Sequence, residues 1–63
     1  MKWKNGRELG HAVVAALKSK SLQGVDDEDA ADWVVRKFLR DTHSTASVDM
    51  VQEAARVVER SGA

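Results

Sequence analysis

Three runs of apolar residues at helical spacing, divided by two polar stretches, are what this chain has to fold with. It has 63 residues and contains no cysteine and no proline. A domain of about 60 residues buries only about 60% of the surface its unfolded chain exposes, and no disulfide can supplement that core here. Nor can a thiolate hold zinc or an iron–sulfur cluster. The chain reads as one helical domain over residues 1–63.

In the first run Leu9, Ala12, Val13, Ala16 and Leu17 fall on one helix stripe. Asn5 is placed to cap its start, and the Ser19 to Gly24 stretch to end it. Gly10 lies inside this helix at a cost of roughly 1 kcal/mol relative to alanine, which points to a close contact with another element. In the second run Asp26 or Asp27 is expected as N-cap, with the following acids where the helix dipole favours negative charge. Ala30, Trp33, Val34 and Phe38 form its stripe, Val35 and Leu39 broaden it, and its middle two turns are expected to be mostly buried. Asp41 to Ala46 reads as a polar turn. Ser47 then caps a third helix with apolar positions Val48, Val51, Ala54, Ala55 and Val58, and Gly62 is its natural stop. Trp3 is too large to stay loose on so small a protein and is expected to pack across the bundle from a short extended segment. The fold class is all-α or mainly α, a compact three-helix domain.

Ten basic and ten acidic residues give a formal charge of zero, which argues against bulk attraction to DNA or a membrane. With 32% charged and 43% hydrophobic residues, the chain suits a folded, soluble state. Nothing resembles a signal peptide or a membrane span, so the cytoplasm is the expected address. The zero conceals unequal parts. Residues 1–24 carry five basic residues against Glu8, whereas residues 25–41 carry six acids against Arg36, Lys37 and Arg40.

Catalytic chemistry finds little support. The chain has no cysteine nucleophile, no glycine-rich phosphate loop and two histidines. Glu8 and His11 have the Glu-x-x-His spacing of di-metal helical bundles, but such a site needs further carboxylates from other helices. Asp41 and His43 could approach a metal from one turn, and which metal, if any, is bound stays open. Ser44, Thr45 and Ser47 are turn and cap residues before they are nucleophiles. The chain is therefore read as a non-enzyme. The strongest charge feature is Asp26, Asp27, Glu28 and Asp29, with Asp32 one turn on. Four acids in a row exceed what a helix start needs and suit contact with a basic partner surface or a weak hard-cation site. Against this stand Lys18, Lys20, Arg36, Lys37 and Arg40, which would form a modest phosphate-binding patch if they converge. In a helix–turn–helix reading, Ser47 to Arg60 would be the reading helix. Asp49 and Glu53 face phosphates unfavourably there, and Gln52 is the sole candidate for reading bases.

The opening Lys2-Trp3, Arg7-Glu8-Leu9-Gly10 and Ala12, continued by Trp33, Ala46-Ser47 and Glu53-Ala54, resembles IscX, a small protein of bacterial iron–sulfur cluster assembly. The resemblance covers nearly the whole chain and implies a mainly helical domain related to a modified winged helix. It also implies a non-catalytic protein that binds the cysteine desulfurase of the pathway, binds iron weakly through an acidic surface, and modulates the rate of cluster assembly. Glu8 and Asp41 match acidic positions of that pattern, and Trp3 and Arg7 match its structural opening. The family is strongly acidic, whereas this chain is neutral. Its acidic run before the last helix is replaced here by Leu39-Arg40-Asp41-Thr42-His43.

The leading expectation is a cytoplasmic protein-interaction or adaptor domain, with Glu8, Asp26, Asp27, Glu28, Asp29 and Asp41 as partner-binding residues. The alternatives are a small winged-helix-like nucleic-acid-binding regulator using the five basic residues, and a phage-type accessory inhibitor that docks on a larger enzyme.

Overall fold

The computed structural model of the chain describes residues 3–22, 24–25 and 29–62. It contains three helices, α1 (Gly6–Lys18), α2 (Ala31–Asp41) and α3 (Val48–Gly62). The all-α, three-helix expectation holds: no strand occurs among the described residues, and so no β element of a winged helix is found there.

Asn5 starts α1 as its position suggests. Its backbone is extended and its side-chain oxygen accepts the Glu8 N–H at 2.8 Å. A second orphan donor of that first turn is satisfied from far along the chain: the Arg7 N–H donates to Glu53 Oε1 of α3 at 2.8 Å. Glu53 comes so close because residue 6 is glycine. A Cβ on Gly6 would collide with the Glu53 Cβ and would lie 2.8 Å from the Met50 carbonyl oxygen. One turn on, a Cβ on Gly10 would lie 2.6 Å from the Val57 Cβ and 3.0 Å from the Ala54 carbonyl oxygen. Gly10 is thus the close-contact glycine that its place inside a helix predicts. The pair Gly6 and Gly10 lets the backbone of α1 rest almost directly on α3.

The second helix differs from its expectation at its start. The N-cap is Ala30 and not an aspartate, in extended conformation and with no side-chain cap bond. Asp26, Asp27 and Glu28 lie outside the described residues. The acid retained in the first turn is Asp32, whose Oδ1 accepts the Trp33 N–H at 2.8 Å. Val34, Val35, Phe38 and Leu39 are buried, whereas Trp33 is 46% exposed. The four buried residues centre the inward face between Val35 and Phe38, which carries Trp33 round to the solvent side and corrects its place in the stripe. Trp3 reaches Phe38 instead, ring centroids 5.8 Å apart and tilted by 48°. Its Nε1 is buried with no hydrogen-bond partner among the described residues.

Ser47 caps α3, its hydroxyl oxygen accepting the Met50 N–H at 3.3 Å. Val51, Ala54, Ala55 and Val58 face the core, but Val48, in the first turn, is 65% exposed and is a second correction to the predicted stripe. The helix runs through Gly62. Leu9, Val13 and Val35 form the fully enclosed centre, each side chain contributing on the order of 1.5–3 kcal/mol before entropy is subtracted. Leu22, in the segment between α1 and α2, is buried with them.

Both α1 and α2 end in the same way. After the C-cap residues Ser19 and Thr42, Lys20 and His43 adopt left-handed backbone, φ 57° and φ 54°. Ser21 N–H then reaches the Ala16 carbonyl at 3.0 Å, and Ser44 N–H the Leu39 carbonyl at 2.8 Å. Lys20 N–H and His43 N–H close the inner bonds, to Leu17 and Arg40 carbonyls at 3.2 Å each. These are Schellman closures, with a lysine and a histidine where glycine is usual.

Candidate functional site

With its buried side fixed by Val34, Val35, Phe38 and Leu39, α2 has one direction left to water. Trp33, Arg36, Lys37 and Arg40 fall at i, i+3, i+4 and i+7 and occupy that side. Trp33, Arg36 and Arg40 are exposed. Lys37 is half-buried; its ammonium lies 3.7 Å from Asp41 Oδ2, and its stem passes over Gly24. A pair this exposed contributes at most about 1 kcal/mol, but it ties up the one lysine of the row. Among the described residues, neither Arg36 nor Arg40 is paired with a carboxylate.

The end of α2 and the start of α3 enclose a shallow groove between them. Its lining combines Arg36 and Arg40 with Leu39, Ala46, Val48 and Val51, and Ser44 and Thr45 complete the turn side. Among the described residues no acidic side chain lines it. A larger groove lies at the other end of the bundle. There Leu17, Leu22, Val25, Val34 and Val58 form the walls, and Lys18, Lys20, Asp29 and Glu59 supply charges of both signs.

The five basic candidates therefore do not converge. Lys18 and Lys20 belong to the mixed-charge groove, Arg36 and Arg40 to the purely basic one, and Lys37 is engaged with Asp41. The acidic candidates are spread as widely. Glu8 is exposed in the first turn of α1, Asp29 is exposed ahead of α2, and Asp41 is exposed at the end of α2. Asp26, Asp27 and Glu28 again fall outside the described residues. Among the described residues no group of three or more His, Asp or Glu side chains gathers to hold a metal ion, so Glu8–His11 and Asp41–His43 gain no third ligand there.

Two surface features escaped the sequence. Val48 and Trp33 carry the same spacing signal as core residues, and only their phase relative to the four buried positions of α2 and the inward face of α3 separates them. Thr45 and Ala46 read as mere turn residues, yet they complete the groove wall. No helix among the described residues is long and apolar enough to cross a membrane. No protein-family model matches the chain, and no curated protein or solved structure does either.

Proposed function

We propose that this chain is a non-catalytic protein-interaction domain that docks on a larger protein through the outward face of α2. The observation that carries the reading is Trp33. A large aromatic side chain stays 46% exposed on a protein that has only one other tryptophan and one phenylalanine. Tryptophan and arginine are the residue types that most often dominate binding energy at protein interfaces, and Arg36 and Arg40 stand one and two turns from it. The resemblance to IscX makes a cysteine desulfurase the first partner to try, with modulation of iron–sulfur cluster assembly as the consequence of binding. Iron enters this reading only through that resemblance.

Calorimetric titration of the chain into a bacterial cysteine desulfurase at low salt tests the named partner. Association that weakens at least tenfold in Trp33→Ala is expected. No heat of binding at low ionic strength, where charge attraction is least screened, removes the desulfurase from the proposal.

A second reading has one observation in its favour: an exposed tryptophan beside two exposed arginines also suits stacking on single-stranded nucleic acid. A mobility shift over a salt series separates the two, since nucleic-acid affinity must fall steeply as salt rises.

A further inference from the structure

The groove at the junction of α2 and α3 has a chemistry of its own. Its floor is apolar, from Leu39, Ala46 and Val51, and Val48 stands 65% exposed at its edge. Two guanidinium groups, Arg36 and Arg40, form its rim, and neither has a carboxylate partner among the described residues. In a chain with as many acids as bases, a concave patch holding only positive charge is a local exception. The α3 N-terminus adds partial positive charge from its first turn.

From this juxtaposition we infer that the groove binds an acidic segment of a partner protein, one that carries carboxylates for Arg36 and Arg40 and an apolar side chain for the floor beside Val48. The inference rests on the reading of the chain as a protein-interaction domain and adds the chemistry of the partner. Arginine suits the task better than lysine, because its planar fork meets a carboxylate with two parallel hydrogen bonds and gives up a weaker hydration shell. Carboxylates fix the register, and the apolar anchor supplies the affinity. A nucleic acid fits less well. Its backbone would leave the apolar floor unused.

The test is a titration of the whole isotope-labelled chain, followed by backbone amide NMR, with three synthetic peptides of equal length. One alternates glutamates with leucines in a helical pattern, one replaces the leucines by serine, and one replaces the glutamates by lysine. The first is expected to shift amides of residues 36–40 and 44–51, with an affinity at least tenfold above both others. That affinity should fall at least tenfold in Arg36→Glu/Arg40→Glu and again in Val48→Ser. All three positions are exposed, so unperturbed spectra of the free variants will confirm that the fold is kept.

Equal binding of the lysine peptide, a shift map centred on Lys18 and Lys20, or no shifts at millimolar peptide in low salt would overturn the inference. So would tighter, Arg36-dependent binding of a single- or double-stranded oligonucleotide, which would make the surface a nucleic-acid site. Concentration-dependent line broadening that vanishes in Arg36→Glu/Arg40→Glu would make the occupant a second copy, and overturns it too. The two proposals fail separately. Desulfurase binding that is indifferent to the arginine variants sinks the groove and keeps the interaction role, whereas peptide binding without desulfurase binding keeps the groove and sinks that partner.

Discussion

The first and second helices both pack on the third, but they do so with opposite kinds of surface. α1 presents Gly6 and Gly10, so its backbone comes down on Met50, Ala54 and Val57, and Glu53 of α3 completes its first turn. α2 presents four large side chains, stands off accordingly, and turns Trp33, Arg36 and Arg40 to water. A seam made of backbone approach tolerates no added atoms. A helix held off by side chains has an outer face that stability does not constrain, and that is where a binding surface can be carried without weakening the fold.

The sharpest way to break this contrast is at the α1–α3 seam. Gly10→Val is expected to cost about 3 kcal/mol, because the new branched side chain meets the Val57 Cβ and the Ala54 carbonyl with no room to yield. Domains of this size rarely hold more than about 3–5 kcal/mol in all, so circular dichroism should find the variant largely unfolded at 37 °C. A cooperative transition at the wild-type temperature would mean the two helices can separate freely. Next comes Glu53→Ala, which removes the carboxylate that accepts the Arg7 N–H. A lost helix cap costs about 1 kcal/mol, to be read as a lower urea midpoint at unchanged slope.

Smaller and of opposite sign is the effect of glycine at the left-handed helix ends. Left-handed backbone costs a non-glycine residue about 1–2 kcal/mol, and glycine returns part of that gain through its freer unfolded state. Lys20→Gly and His43→Gly should each raise stability by about 0.5–1 kcal/mol in urea titration. Destabilisation would show that one of these side chains makes a contact that outweighs its strain. Smallest of all is Trp33→Ala, whose thermal midpoint should correspond to a change within about 0.5 kcal/mol, as for other surface positions. A loss above 2 kcal/mol would place Trp33 in the fold and not on a docking face.

How far the sequence reached follows from which physical signals are local. The three helices were legible because apolar spacing, the Asn5 and Ser47 caps and the polar turns are all written within a few residues of one another. The start of α2 was misread because acids are favoured at a helix start and also abundant ahead of this one, so composition alone placed the cap too early. Trp33 and Val48 were misplaced because a stripe of period 3.6 is broad, and which edge of it reaches the core depends on where the other helices lie. Gly6 offered a signal in the four-residue spacing to Gly10, but its meaning needs Glu53, 47 positions away. The closures at Lys20 and His43 had no signal, since neither residue is the one such a turn favours. The candidate site was legible in residue type only: Arg36 and Arg40 were identifiable as basic, but their separation from Lys18 and Lys20 is a property of the bundle.

The hydrogen bond from Arg7 to Glu53 also orders events in time. It joins residues 46 positions apart, and Gly6 and Gly10 beside it pack closely against α3. While the chain is being made, α1 can have neither its second capping group nor its packing partner until α3 has been synthesised. Until then its first turn depends on Asn5 alone, and a helix of this length is marginal in water by itself. A nascent chain cut after Asp41 is therefore expected to show little helix, and the fold to arrive in one late step when the last helix closes on the first.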